Sequence, residues 1–482
     1  MAAGEMFGLD EVFRSLDTDR TNVVWKWKLL EELKESGLAN DDPRVVRALE
    51  EALGTRPGFE PGQPEWLEWD QFARVAQEPV IAKALQGRLV MPHSQFTDIT
   101  QGITEIYHDL LDNRDGQVAQ YIPSLASADP DKFAISICTA DGQVFNIGDT
   151  DVPFSIQSTS KVFNLLMAYD ELGPEEVHKR VGTEQSGGPF NDPVLSLDED
   201  GVPRNPMINA GAIGTLAMVR SGERESARAR ALLEIWDAMT GRQRAGSDLE
   251  TFLAEMETAE GNRKLTGRIA AKDKLMGGSG EVAVEDALRF YTTVCALELD
   301  SKRLAAAGAT LANGGVAPFT EERVFSADAT ARALSLMAHC GMYDGSGKFA
   351  IEVGLPGKSG VSGNIMLVIP QLRMAMAVHS PRLDPAGNSV RGLEVCRRLV
   401  NQFNLHPYRQ LGVERGRETA VAWSGPQSAP APYQRLQPSN PAYLAFGGVS
   451  SAAPTDPRKA FALDQAATTG SGDKQRGMGT EK

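Results

Sequence analysis

The stretch that most constrains this chain is Gln157-Ser158-Thr159-Ser160-Lys161, followed at once by the mostly apolar run Val162-Phe163-Asn164-Leu165-Leu166-Met167-Ala168. The run can carry a helix inward, and on a helix residues three apart lie roughly 5–6 Å from one another at Cβ. A hydroxyl and an amine then share one face, so Lys161 can take the proton of Ser158 as that oxygen attacks a carbonyl. Such a serine is the nucleophile of an acyl-transfer enzyme. Ser-x-x-Lys also occurs on ordinary surface helices, so its surroundings decide what it means.

At 482 residues the chain has length for roughly three domains and a large buried core. Its net charge of -15 argues against nucleic acid or an anionic membrane surface as the main partner, since either calls for clustered Lys and Arg. The first residues carry Glu5, Asp10 and Glu11 and no apolar core of signal-peptide length, and no later run approaches a membrane span. The expectation is a cytoplasmic protein. Cys138, Cys295, Cys340 and Cys396 are widely spaced with no Cys-x-x-Cys, which predicts four reduced packing cysteines, with neither a zinc site nor a disulfide framework.

Three regions follow from composition: a helical segment over 1–92, a long central region over 93–408, and a Pro-, Ser-, Ala- and Gly-rich tail over 409–482. In the first, Asp17-Thr18-Asp19-Arg20-Thr21 opens like a calcium loop between predicted helices at 10–16 and 25–36. The sixth position, which wants glycine, holds Asn22, and the twelfth, which wants a bidentate Glu, holds Lys28, whose charge repels a cation. An EF-hand-like packing or dimerisation module without metal is therefore expected. A second helix pair is predicted at 42–53 and 66–77, with a loop over 54–64. The tail cannot bury enough apolar surface to offset its ordering entropy and is expected to be largely disordered.

The central region opens with helical spacing over 96–111 and a hairpin signal, 134–138 and 144–147 flanking Asp141-Gly142. A second strand pair, 365–369 and 374–378, comes near its end, with helical segments between. Early and late strands enclosing helices predict an α+β domain, an antiparallel sheet with an inserted helical subdomain, and Ser158 at the start of a helix packed on it.

Two further segments support the nucleophile. Gly354-Leu355-Pro356-Gly357-Lys358-Ser359-Gly360-Val361-Ser362-Gly363 precedes a strand, and Asn205-Pro206-Met207-Ile208-Asn209-Ala210-Gly211-Ala212-Ile213 sets an amide at the entry of a small-residue helix. Lys358-Ser359-Gly360 resembles the Lys-Thr-Gly edge strand of penicillin-recognising serine enzymes. With His339-Cys340-Gly341-Met342-Tyr343-Asp344, Tyr121-Ile122-Pro123 and Asp384-Pro385-Ala386-Gly387-Asn388-Ser389, these segments closely resemble the serine-dependent glutaminase family, similar in fold to the β-lactamases. The resemblance runs from about residue 107 to about 404, and the Ser-Asp-Asn triplet of class A β-lactamases is absent.

The resemblance implies an L-glutamine amidohydrolase that forms a γ-glutamyl ester on Ser158, with Lys161 as general base and the backbone amides of Ser158 and Val361 as oxyanion donors. It makes Tyr343 a proton relay to the leaving ammonia. It sets Tyr121, Gln157, Asn209, Glu255, Asn262 and Tyr291 around the substrate, Glu255 toward the α-ammonium and Asn262 toward the α-carboxylate. No metal or organic cofactor is required by that mechanism. The long form of the family, with a helical module before the catalytic domain, implies a homodimer or homotetramer. The rival readings are another Ser-x-x-Lys acyl hydrolase, β-lactamase- or esterase-like, on the same scaffold, and a calcium-responsive interaction protein carrying an inactive enzyme.

Overall fold

The computed structural model describes residues 3–54, 65–187 and 195–409, with side chains from residue 8 onward. The predicted tail lies outside the described residues except for its first, and so does the predicted 54–64 loop except for Gly54.

The N-terminal module is built as two helix–loop–helix units joined by a short antiparallel pair, β1 (Val23–Trp25) and β2 (Trp66–Glu68), with Val24 opposite Leu67. The predicted helix at 66–77 is thus shorter than its pattern suggests. Residues Trp66–Glu68 are drawn into strand by their partner across the module, and the helix runs over Trp69–Val75. In the first loop the Asp17 carboxylate accepts from the backbone N–H of Thr21 and Asn22 at 2.8 and 2.9 Å. Asn22 turns the chain at φ +63°, a left-handed conformation that asparagine tolerates better than most residues other than glycine. The sharp turn is therefore kept without glycine. At the twelfth position the Lys28 ammonium donates to the Thr18 hydroxyl and, at 3.4 Å, to the Leu16 carbonyl.

The catalytic region carries a hairpin, β3 (Ala134–Thr139) and β4 (Val144–Gly148). A small three-stranded sheet follows, made from β5 (Phe154–Ser155), β6 (Gly246–Ser247) and β7 (Leu297–Leu299) in the order β5-β7-β6. Then come β8 (Gly357–Gly360), β9 (Asn364–Ile369) and β10 (Met374–His379). The main sheet is antiparallel, ordered β4-β3-β10-β9-β8, so early and late segments close it as the sequence predicts. Alternation along its strands sends Ile135, Ile137, Leu367 and Met376 toward the helices His93–Leu110 and Val390–Gln402. The opposite face meets the small-residue helix Ser301–Ala312, where a Cβ on Gly308 would stand 2.7 Å from that of Ala375. With both faces covered, β3, β9 and β10 are buried throughout. All four cysteines are buried and free.

The β3–β4 turn joins the module to the sheet. Arg44 and Asp42, both almost fully buried, form an ion pair at 2.8 Å, and the same guanidinium donates to the carbonyls of Asp141 and Pro318. The Asp141 carboxylate accepts from Lys83 at 3.1 Å and from the Val90 N–H at 2.6 Å. Gln143 bonds the Ser36 and Met91 carbonyls, and the Val144 N–H donates to the Gly37 carbonyl. The hairpin tip is thus a plug held by the helical module. Arg44→Ala leaves the buried Asp42 carboxylate unpaired, and the expected cost is about 3–5 kcal/mol of stability. Urea unfolding followed by fluorescence measures it, and an unchanged midpoint would show that the plug is not holding. Because Lys28 stands at the twelfth loop position, calcium titrated into the full chain is expected to give no binding heat.

Candidate active site

Ser158 lies in a 3-10 turn, Gln157–Ser160, that passes directly into the helix Lys161–Leu172. Residues 161–169 of that helix are all buried, so the apolar run carries its first residue into the core, as the sequence pattern requires. Lys161 Nζ stands 2.5 Å from Ser158 Oγ and 2.9 Å from Asn209 Oδ1. Among the described residues the two groups hydrogen-bonded to this amine are neutral, and the Glu255 carboxylate acts on it as a nearby charge. Burial drives its pKa down to about 8, opposed in part by Cys295 and Glu255 nearby. A neutral amine offers the lone pair that a general base needs.

Asn209 begins the helix Asn209–Met218 and has its orientation fixed from three sides. Its Oδ1 also accepts from the Tyr291 hydroxyl at 3.1 Å, and its Nδ2 donates to Asn262 Oδ1 at 3.2 Å. Asn209 therefore orients Lys161 as well as lying where the resemblance sets the substrate. Tyr121 donates to Glu255 Oε1 at 2.7 Å, and the Gln157 side chain bonds the same carboxylate. Burial raises the Glu255 pKa, while the Tyr121 and Gln157 hydrogen bonds and Lys161 pull it back. Burial pushes the Tyr291 hydroxyl up and the Cys295 thiol up to about 12, so the thiol stays protonated beside the lysine.

Tyr343 closes the other side. Its hydroxyl donates to the Ser359 carbonyl at 3.0 Å and is hydrogen-bonded to Ser158, and burial keeps it protonated. Both Gln157 (φ +51°) and Tyr343 (φ +52°) take left-handed backbone conformations, each costing on the order of 1–3 kcal/mol, which the packing around them must hold. All ten sequence-predicted residues fall in this region: Val361 packs with Tyr343 and Ile122, and Ala254, next to Glu255, joins the same cluster.

Two residues carry roles that sequence pattern does not reveal. Asn364, at the start of β9, accepts from the Thr159 hydroxyl and donates to the Ile156 carbonyl at 3.3 Å and to Ser362 Oγ at 2.7 Å. Ser362 in turn donates to the Ser155 carbonyl at 2.7 Å. These bonds tie the turn carrying Ser158 to the segment carrying Val361, which fixes the two backbone amides relative to one another. Lys358 is fully buried, donates to the Ser359 carbonyl at 2.8 Å and lies 4.6 Å from the centre of the Tyr343 ring. Desolvation, then the charge of Lys161, holds its pKa well below the ordinary lysine value. The Lys-Ser-Gly motif marks its position, but a motif that acts through its backbone gives no sign of a second buried amine.

The sequence profile of the Glutaminase family matches residues 116–408, and that of an EF-hand domain matches residues 9–92. The chain belongs to the glutaminase family. It is 38% identical over 403 residues to putative glutaminase 3 of Caenorhabditis elegans, covering 82% of this chain and 67% of that one. It is 37% identical over 386 residues to the mitochondrial liver isoform of glutaminase of Mus musculus, covering 80% of this chain and 62% of the mouse protein. The chain thus spans about two thirds of the nematode glutaminase and somewhat less of the mouse one. A solved probable glutaminase, ybaS, superposes with a TM-score of 0.61 at 35% identity, covering 64% of this chain and 98% of that structure. The sheet-and-helix catalytic domain and the EF-hand module before it are the architecture that the glutaminase resemblance implies.

The geometry at Lys161 fixes a sign for pH. Its base form grows as pH rises, so kcat/KM is expected to climb on an acid limb centred near pH 8. Asn209→Asp would put a carboxylate beside the amine, favour the ammonium and move that limb up by about 1–3 pH units. A pH–rate profile with an unmoved limb would remove Lys161 from the base role.

Proposed function

We propose that the chain hydrolyses L-glutamine to L-glutamate and ammonia through a γ-glutamyl ester on Ser158. The observation that carries this reading is the buried amine of Lys161 at 2.5 Å from Ser158 Oγ. Lys161 takes the hydroxyl proton as Ser158 Oγ bonds the side-chain carbonyl carbon. The developing oxyanion is held by the backbone N–H groups of Ser158 and Val361, each such donor being worth on the order of 3 kcal/mol in the transition state. Tyr343, touching Ser158, passes a proton to the departing nitrogen. Water then attacks the ester by the same path in reverse, with Lys161 again receiving the proton.

Selection of glutamine falls to the opposite end of the site. Glu255, held by Tyr121 and Gln157, takes the α-ammonium, while Asn262 and Tyr291 face the α-carboxylate. Glu255 and Asn262 stand seven residues apart on consecutive helices, Leu249–Glu257 and Glu260–Ala270, and Tyr291 joins them from the helix Glu281–Cys295. The assembly we propose is a homodimer or homotetramer, which sedimentation of the full chain measures. We also propose residence in the cytoplasm, in contrast to the mitochondrial mouse relative. No described helix is long and apolar enough to cross a membrane.

The test is release of ammonia and glutamate by the wild type, Ser158→Ala and Tyr343→Phe, with asparagine and a chromogenic cephalosporin in parallel. Ser158→Ala is expected to abolish turnover of glutamine with the fold intact. Tyr343→Phe is expected to lose roughly 100-fold or more in kcat, the scale of a lost proton relay. Turnover of the cephalosporin alone would replace this reading with another acyl hydrolase on the same scaffold.

A further inference from the structure

We propose that Ser124 and Thr251 are positioning residues for the α-ammonium end of the site: their hydroxyl pair, anchored by Asp248, holds Tyr121 and Glu255 where a substrate ammonium meets them. The inference rests on the glutaminase reading above and deepens it, from the groups that face the substrate to those that set where these groups stand.

The helix carrying Glu255, Leu249–Glu257, is held lightly. Of its nine residues only Thr251 and Ala254 are buried, and Leu249 and Leu253 are exposed. Across from it Tyr121 is 48% exposed and lies in a bend just before the short helix Pro123–Ala126. Ile122, Leu125 and Ala254 join the two segments in a small apolar cluster. Apolar contact has no direction, however, and a carboxylate that is to meet an ammonium at hydrogen-bond distance needs one.

A second rung supplies the direction. Tyr121 and Glu255 meet at 2.7 Å, and Ser124 and Thr251 meet beside them at 2.7 Å between hydroxyl oxygens. Thr251 stands four residues before Glu255, which puts both side chains on one face of the helix. One rung alone would act as a pivot, whereas two fix rotation as well as distance. Asp248 settles which hydroxyl donates. The Thr251 hydroxyl gives its single proton to the Asp248 carboxylate, so the Ser124 hydroxyl donates to the Thr251 oxygen.

Asp248 is itself tied down. Its carboxylate caps the helix by accepting from the Thr251 N–H at 3.0 Å, and its own N–H donates to the Ala296 carbonyl at 2.8 Å. Ala296 ends the helix Glu281–Cys295, which carries Tyr291. A hydrogen-bonded path thus runs from the helix of Tyr291 through Asp248, Thr251 and Ser124 to the segment bearing Tyr121. Helix capping accounts for the bond to the Thr251 N–H. It calls neither for a hydroxyl on that residue nor for Ser124 opposite.

The experiment measures steady-state hydrolysis of L-glutamine by the full chain as wild type, Ser124→Ala, Thr251→Val, Thr251→Ser and the Ser124→Ala/Thr251→Val pair, with L-glutamate and glutarate as competing inhibitors. Valine matches threonine in shape and keeps the N–H that Asp248 caps, so the helix start survives. Ser124→Ala and Thr251→Val are each expected to raise KM about three- to tenfold, the effect of one net hydrogen bond. Turnover number is expected to stay within about twofold, because the ammonium end is bound alike before and during the reaction. Inhibition by L-glutamate weakens by the same factor as KM rises, while inhibition by glutarate, which has both carboxylates and no ammonium, is unchanged. Thr251→Ser restores the wild-type KM, and the double variant is no worse than Thr251→Val, since both changes remove the same bond. The positioning role is overturned if the wild type hydrolyses glutamine and the single variants keep its KM, if kcat falls along with the rise in KM, or if glutamate and glutarate inhibition weaken alike. Each of the last two would mark a general loosening of the site. A wild type inert toward glutamine would overturn the glutaminase reading and this role with it.

Discussion

A lysine amine buried with a serine hydroxyl on one side and an asparagine carbonyl on the other, and no acid in contact among the described residues, is the constraint around which this molecule is arranged. Taking such an amine out of water disfavours its charged form, and a neighbouring carboxylate would restore that charge. The surroundings of Lys161 accordingly offer neutral partners: Asn209, Tyr291 and a protonated Cys295. Glu255 acts on it from farther off, already engaged by Tyr121 and Gln157. The site is thus divided electrically. One end holds the Glu255 carboxylate, and the other holds two desolvated amines, Lys161 beside the Ser158 hydroxyl and Lys358 beside the Tyr343 ring.

Holding these groups in place is work shared by elements far apart in sequence. The turn carrying Ser158 follows β5, which lies in the small sheet with β7, and it is stapled to β9 through Asn364. The main sheet supplies β8 and the turn bearing Val361, and the helical subdomain supplies Asn209, Glu255, Asn262 and Tyr291. Ser158 stands where sheet and subdomain meet and is reached from both, and the positive φ angles of Gln157 and Tyr343 lie at that junction. Packing on all sides makes such strain tolerable.

Much of this arrangement is legible in the amino-acid sequence. Strand 134–138 can be recognised by its alternation before the turn dipeptide Asp141-Gly142, strand 374–378 by its short apolar run, and Ser158 with Lys161 because the spacing is local. The small sheet is not legible, since strands of two or three residues carry no period. Residues Trp66–Glu68 show helical spacing, yet pairing with Val23–Trp25 overrides it, a tertiary effect that no local window contains. Asp141-Gly142 is the turn that its residue types predict, but its partners Arg44, Lys83 and Val90 lie 50 or more residues away in sequence. Lys358 shows the same limit: a sequence displays a lysine, and only the fold decides whether water reaches it.

The two margins of the main sheet have a further consequence. An unpaired strand margin is a template on which another chain can add. Here β8 is only four residues long and its Ser359 N–H is spent on the Gly341 carbonyl, while at the opposite margin β4 gives its Val144 N–H to Gly37 of the helical module. Neither margin is a clean row of free amides. Among the described residues a strand arriving at either margin meets a row of amides already broken, so the ladder by which sheets grow without limit is obstructed at both ends.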